Sequence, residues 1–154
     1  MNLPDEIAAA CQPLFDVLPL EAAMPHLVGS SPKHRELVEQ VLQHPALAGR
    51  PELEAALWLY VDDLERSHVI SQGITEATGS YWHGIMHRRE GDFSNSHYWF
   101  RQTGRHPFRA DHPELEPDSL VDRVAAARGA DTPELVAQQR AEWVGLFAWC
   151  AENR

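Results

Sequence analysis

Four prolines in this sequence stand where an α-helix can begin, and this feature strongly constrains the fold. Ser31-Pro32 and Thr132-Pro133 each place a residue that caps helices well before a proline at the first helical position. Pro51 and Pro117 can open helices in the same way. Proline is accepted there because the first turn needs no backbone N–H donor. The pattern predicts a chain built mainly from helices.

Strand signals are weak throughout the chain. No segment alternates strictly between apolar and polar residues, and clusters of β-branched residues are absent. We therefore predict an all-α fold, a single-domain antiparallel helical bundle over residues 1–154. Only the stretch 104–119, with its three prolines, is expected to be a long irregular connection. The main helices are expected at about 32–43, 51–72, 80–90, 93–104, 117–128 and 132–151, with one or two shorter helices before residue 28.

Length and charge limit the classes of partner. A chain of 154 residues suits one domain that buries its core without disulfide or metal staples. The formal net charge of −10 argues against nucleic acid and anionic membranes, because both require a basic protein face. No apolar run approaches the roughly 20 residues that span a bilayer. We expect no nucleic-acid partner and no membrane partner.

The first residues and the two cysteines indicate a cytoplasmic protein. The opening sequence MNLPDEIAAACQPLF lacks a basic segment and is broken by Pro4 and Pro13, which does not fit a signal peptide. Without a secretory signal, Cys11 and Cys150 are more typical of buried free thiols than of a disulfide bridge. The expected localisation is therefore cytoplasmic.

Residues 80–100, SYWHGIMHRREGDFSNSHYWF, differ from the rest of this acidic chain. They contain three histidines, two arginines and six aromatic residues. Ser80 can cap a first helix that runs to about Glu90, and Asp92 can cap a second helix that ends near Gly104. The segment predicts a tight helical hairpin.

Seven residues in and after this hairpin have a spacing that resembles a single degenerate tetratricopeptide-type repeat. They are Gly84, Gly91, Asp92, Phe93, Ser96, Phe100 and Pro107. A solenoid needs about three stacked repeats, and no second copy follows at the 34-residue period. The resemblance therefore implies an antiparallel helix pair at about 80–104, without the peptide-binding role. The run WHGIMHRRE…YWFR also resembles a segment of an uncharacterised bacterial protein family, and this likeness implies no activity.

One helical stripe in this segment predicts a metal site. His83, His87 and Glu90 are spaced i, i+4, i+7, so they fall on one face of a helix. A His-x3-His pair is the helical spacing by which two imidazoles hold one divalent metal. The preceding helix offers a carboxylate and an imidazole at i, i+3 in Glu65 and His68. The predicted ligands of one zinc, iron or manganese ion are His83, His87, His68 and Glu65.

The same stripe supplies candidate catalytic groups. His83 is expected in the first turn of its helix, where the helix dipole keeps an imidazole neutral. A neutral imidazole can bind a metal or act as a general base. The predicted catalytic residues are His87, His83 and Glu90.

A local excess of arginine indicates a small anionic ligand. Between residues 81 and 112, five arginines stand against three acidic residues. Planar guanidinium groups clamp carboxylates and phosphates well. The predicted substrate-binding residues are Arg88, Arg89, Asn95, Arg101, Trp82 and Tyr98.

Two functions remain open at this point. The first is a small metal- or His-dependent enzyme acting on a small anionic substrate, with its pocket between helices 51–72 and 80–104. The alternative is a non-enzymatic protein-interaction domain that uses the tetratricopeptide-like hairpin and exposed aromatic residues. In that case the His/Arg cluster is structural, and the surface carries an apolar groove of several hundred Å2.

Overall fold

The computed structural model describes residues 1–153, and every regular element within them is helical. This confirms the predicted all-α fold. No helix in this range is long and apolar enough to cross a membrane. The α-helices are α1 (Asp5–Val17), α2 (Arg35–Val41), α3 (Pro51–Tyr60), α4 (Leu64–Gln72), α5 (Ala77–Glu90), α6 (Phe93–Gln102), α7 (Pro107–Asp111), α8 (Pro117–Ala126) and α9 (Pro133–Glu152), and two 3-10 turns lie at Pro45–Leu47 and Pro113–Leu115.

Proline opens helices as predicted at Pro51, Pro117 and Pro133. The prediction fails at Pro32, because α2 begins only at Arg35, after a residue in the left-handed conformation at His34. The segment just before α2 is tied elsewhere by a backbone hydrogen bond of 3.0 Å from the N–H of residue 33 to the carbonyl of residue 61. The chain therefore runs along the end of α3 before α2 starts.

The single helix predicted over 51–72 is wrong, because the chain breaks between α3 and α4. Asp62 has a φ of 64°, a left-handed conformation that an α-helix cannot pass through. Asp63 then caps α4, and its carboxylate accepts a hydrogen bond of 3.1 Å from the backbone N–H of Arg66. His68 therefore lies on α4, after the break, and α4 packs against α5.

The stretch 104–119 is also more regular than predicted. It contains α7 and the second 3-10 turn. Arg109 organises it, because its guanidinium binds the carboxylates of Glu116 at 2.5 Å and Asp118 at 2.8 Å. An ion-pair network thus replaces the expected irregular loop.

The main core lies around α3 and α9. Every residue from Ala55 to Tyr60 is buried, so α3 is apolar nearly all round. The ring of Trp143 on α9 stacks on that of Phe147 at 4.7 Å, and its Nε1 donates to the carbonyl of Ala56 at 2.9 Å. Cys11 and Cys150 are buried free thiols, as predicted. A smaller apolar cluster joins α8, α9 and the segment before α2; it contains Leu27, Leu120, Val124, Leu135 and Val136.

α5 and α6 form a tight helical hairpin. Gly91, with a φ of 88°, ends α5, and the carboxylate of Asp92 caps α6. The two helices touch at Gly84, where an added Cβ would lie 2.7 Å from the ring of Phe100. Ser96 donates a hydrogen bond of 2.7 Å to the carbonyl of Gly84. The hairpin thus brings one face of α6 directly against α5.

α5 begins earlier than predicted. Its first residue is Ala77, so Ser80 lies inside the helix and caps nothing. His83 accordingly lies in the second turn, beyond the unpaired N–H groups of the helix start. The proposed cause of a neutral His83, its position at the helix N-terminus, is therefore wrong.

Candidate metal centre

Three histidines lie side by side where α4 packs on α5. One ring nitrogen from each of His68, His83 and His87 lies within 4.8 Å of the other two. The rings of His83 and His87, one turn apart on α5, stack at 4.7 Å, and His68 meets them edge-on at 4.7 and 5.4 Å. Three imidazoles with an open fourth position are a known ligand set for zinc. The structure thus brings three of the four predicted ligands together.

His83 is buried without a hydrogen-bond partner. Its side chain is 2% exposed, and neither Nδ1 nor Nε2 is bonded to any group within residues 1–153. The ring of Trp99 on α6 stacks on it at 4.0 Å. Leaving a buried polar group unpaired costs about 1–3 kcal/mol. His83 therefore has two donor atoms that the fold itself does not use.

Burial, more than any neighbouring group, sets the protonation of His83. Burial, together with the smaller effects of the nearby His87 and His68 rings, lowers the pKa of the ring to about 3. His83 is therefore neutral at pH 7, as predicted, although by desolvation and not by the helix dipole. A neutral imidazole has the lone pair that a metal requires.

His87 is oriented by two neighbours. Its Nδ1 lies 2.6 Å from a carboxylate oxygen of Glu90, which accepts the hydrogen bond. Its Nε2 lies 3.3 Å from the amide nitrogen of Asn95, a long contact that metal binding through Nε2 would replace. Metal-binding histidines commonly donate their second ring N–H to a carboxylate, which fixes the ring and raises its basicity. Glu90 has this geometry, so it supports His87 and need not bind the metal.

A second group of potential ligands overlaps the first. Oxygen and nitrogen atoms of His87, Glu90 and Asp92 also lie within 4.8 Å of one another. Asp92 is exposed, however, and its carboxylate already accepts the N–H of Asn95 at 3.2 Å as the cap of α6. The three-histidine group is the stronger candidate because two of its members are buried.

Glu65 does not join the histidines. It is exposed and belongs to neither group of closely spaced ligand atoms found in residues 1–153. It does line a cavity of about 370 Å3 beside the cluster, together with His68 and Glu90. Glu65 therefore lines the cavity next to the histidines and is not one of the residues that could bind the metal.

Arg88 and Arg89 are fully buried in ion pairs. The guanidinium of Arg88 binds both carboxylate oxygens of Glu142 on α9, at 2.7 and 3.2 Å. Arg89 binds the carboxylate of Asp62 and, at 2.7 Å, the carbonyl of Leu59. Neither guanidinium can reach an external anion, which corrects the substrate-binding role predicted for both. They join α5 to α9 and to the end of α3.

The pKa values of these pairs reflect their burial. Burial raises the pKa of the Glu142 carboxyl, and the adjacent Arg88 guanidinium opposes this shift. Burial disfavours the charged form of Arg89 too, so it lowers the pKa of the guanidinium, and the adjacent Asp62 carboxylate opposes this shift. Charges in such surroundings are tolerated only when partnered.

Of the other predicted substrate-binding residues, only Asn95 contacts the cluster. Trp82 is completely buried in the core, which corrects its assignment to a pocket wall. Tyr98 is 45% exposed and meets Trp99 edge-on at 5.2 Å. Arg101 is exposed in the last turn of α6. The predicted set is therefore divided among the core, the surface and the site.

Trp99 contacts the site although it is not among the residues predicted for it. Asn95 and Trp99 are four residues apart on α6, so they lie on the same face of that helix. Asn95 contacts His87, and Trp99 stacks on His83. Asn95 and Trp99 have the same i, i+4 spacing as His83 and His87 on the facing helix. This matching spacing was the sequence signal that could have placed Trp99 beside the histidines.

A larger cavity, of about 630 Å3, lies elsewhere and shares no residue with the histidine cluster. Its histidine, His106, has partners for both ring nitrogens. Nδ1 accepts from the N–H of Phe108 at 3.2 Å, and Nε2 lies 2.9 Å from the hydroxyl of Thr78. Arg50 in its wall is held by Glu52 and by backbone carbonyls. These polar groups are satisfied within the fold, in contrast to His83.

Comparison of the chain with protein-family models, with curated proteins and with solved structures found no match. What the protein does is therefore inferred from the geometry of its site alone.

Proposed function

We propose that this protein binds one divalent metal ion, with zinc as the first candidate, through His68, His83 and His87. The observation that carries the proposal is His83, a buried neutral imidazole with two unused nitrogens beside two other imidazoles. Zinc–nitrogen bonds measure about 2.0–2.1 Å, so ligand nitrogens on one zinc lie about 3.3 Å apart. Small ring movements from the present spacing would complete the site.

The donor set favours zinc over the other metals considered. Imidazole nitrogen suits zinc and iron, whereas manganese prefers carboxylate and carbonyl oxygen. The nearest carboxylate, Glu90, is engaged with His87 at 2.6 Å. Iron is therefore the second candidate and manganese the third.

A small metal-dependent enzyme is the function that this site supports best. A divalent metal held by three histidines supplies Lewis acidity and an activated water for hydrolysis or hydration of a small molecule. The protein's own part is to hold His87 in place through Glu90 and to keep His83 neutral by burying it under Trp99. The orientation of His87 and the neutral state of His83 are thus both in place in the metal-free protein.

The alternative, a protein-interaction domain, has less support. The large apolar residues that are exposed within residues 1–153 are Met1, Val17, Val69 and Tyr98. Only Tyr98 belongs to the α5–α6 hairpin, and Trp82 is completely buried. The hairpin therefore lacks the exposed aromatic surface that this function requires.

The proposal is tested by measuring the metal content of untagged protein and then titrating zinc into chelator-treated protein. We expect about one equivalent of metal for the unaltered protein. The variant His83→Leu, which removes both nitrogens while keeping an apolar side chain of related size, should bind none at the same free zinc concentration. Its circular dichroism spectrum should remain helical.

A matched control removes an imidazole outside the cluster. His112 lies after α7 and pairs with Glu114 at the surface, so His112→Leu should bind zinc like the unaltered protein. Equal zinc affinity in His83→Leu, or metal-free protein into which zinc cannot be introduced, would refute the proposed site.

A further inference from the structure

The cavity beside the three histidines offers a route to them from outside. It has a volume of about 370 Å3, within the range of small-molecule sites, and its walls come from the start of α2 and the segment before it, from α4 with its cap, and from α5. Of the three histidines, only His68 lines it. His68 is also the only one of the three that is not buried. A molecule in this cavity therefore meets the site at His68.

Carboxylates dominate the charged groups of this cavity. Asp63, Glu65 and Glu90 line it, and Arg35 is its only arginine or lysine. Three carboxylates against one guanidinium leave a formal charge of −2, His68 not counted. Arg35 is moreover paired with Asp63, since its Nε lies 2.7 Å from the buried carboxylate. The uncompensated charge is that of Glu65 and Glu90.

This charge selects what can enter. A cleft lined by carboxylates attracts cations and repels anions. A divalent metal gains from this potential as it approaches, whereas an anion meets Glu65 without a free arginine to hold it. Arg88 and Arg89, which suggested an anionic substrate, are buried in ion pairs away from the cavity.

We infer that the metal site keeps an open position toward this cavity, and that the charges of Glu65 and Glu90 weaken the binding of an anion there while leaving the binding of a neutral nitrogen or oxygen donor unaffected. This inference rests on the proposed metal site and names the class of molecule that reaches it. It replaces the small anionic substrate expected from the sequence. Amides, carbonyl compounds and weakly basic nitrogen heterocycles such as imidazole have the matching chemistry.

The visible absorption of cobalt-loaded protein tests the inference, because its bands respond to any new ligand on the metal. Imidazole serves as the neutral probe and azide as the anionic one. Both should change the spectrum of the unaltered protein, and Glu65→Gln should strengthen azide binding about twofold to fivefold at low ionic strength while leaving imidazole binding unchanged. Added salt should shrink this difference.

The control is Glu36→Gln, which removes an exposed carboxylate on α2 that does not line the cavity. It should leave the affinities of both probes unchanged. Cobalt binding without any spectral response to either probe would show a closed site and overturn the inference, while the proposed metal site would stand. An unchanged azide affinity in Glu65→Gln would overturn the charge selection. If cobalt does not bind at all, the metal site and the inference fall together.

Discussion

α5 carries two sets of buried ionisable side chains, and the rest of the molecule surrounds them differently. Arg88 and Arg89 are completely buried, but each guanidinium meets a carboxylate, Glu142 or Asp62. His83, five residues before Arg88, is also buried and meets no hydrogen-bonding group within residues 1–153. Only the arginines recover through ion pairs the free energy that burial costs.

The difference separates polar groups whose charge is balanced within the fold from a polar group that the fold leaves without a partner. The Nε atoms of Arg88 and Arg89 also lack partners, yet the charge of each arginine is compensated through its terminal nitrogens. His83 has no such compensation, and its burial is tolerated only because the ring is neutral. Stacking on Trp99 holds the ring in place without using its nitrogens. Burial alone is therefore a poor guide to function, whereas burial without a partner is informative.

The largest expected effect comes from breaking the arginine side of this comparison. Glu142→Gln leaves Arg88 buried beside a neutral amide, which should lower the free energy of unfolding by about 3–5 kcal/mol. Urea unfolding followed by circular dichroism measures the loss. Glu134→Gln is the control, because its pair with Arg123 is exposed and contributes less than about 1 kcal/mol. Equal losses in the two variants would show that the buried pair is not ionic.

A smaller effect, a stabilisation by zinc instead of a loss of stability, is expected at His83. Zinc at a free concentration of 100 times its Kd should stabilise the unaltered protein by about 2.7 kcal/mol and His83→Leu not at all. In chelator, His83→Leu should be the more stable protein by about 1 kcal/mol, because it no longer buries two unpaired nitrogens. Thermal unfolding with and without zinc measures both quantities. A chelated variant that is much less stable than the unaltered protein would assign His83 a structural role.

The smallest effect concerns a histidine that has partners on both ring nitrogens. His97 contacts Asp118 at 2.7 Å and Asp122 at 2.9 Å, joining α6 to α8. Burial lowers the pKa of His97, but the hydrogen bonds to the two aspartates outweigh it, so the pKa is raised. Its stabilisation is therefore complete below the unfolded pKa of about 6.5 and is lost as the pH rises through the raised value.

The variant His97→Gln measures this contribution. It should be less stable than the unaltered protein by about 0.5–1 kcal/mol in mildly acid solution, and the two should converge at alkaline pH. Thermal unfolding across the pH range gives the difference directly. A difference that does not change with pH would mean that the charge of His97 contributes nothing.

Local signals in the sequence predicted most of the fold. Prolines mark the starts of α3, α8 and α9, and Gly91-Asp92 marks the turn between α5 and α6, because each acts on its own backbone. The break at Asp62 is marked locally only by Asp63, a residue type that caps helices but also occurs within them. The left-handed conformation of Asp62 accompanies an ion pair with Arg89, 27 residues away, which no local pattern reveals.

The candidate site was predictable to a similar extent. The spacing of His83 and His87 lies within one helix and was visible in the sequence. His68 was included through its i, i+3 spacing from Glu65, and both residues lie on α4. Only His68 joins the cluster, because that depends on how α4 packs on α5. The partner of Arg88 lies 54 residues along the chain, and for that reason the burial of Arg88 could not be foreseen.

The reversal of the chain at Asp62 and Asp63 also determines when the three imidazoles can meet during folding. His83 and His87 come together as soon as one turn of α5 forms, since only four residues separate them. His68 arrives only after the chain has turned at Asp62 and α4 has docked on α5. Metal affinity would therefore report the docking of α4 and not the formation of either helix, and a chelator would act first on that contact.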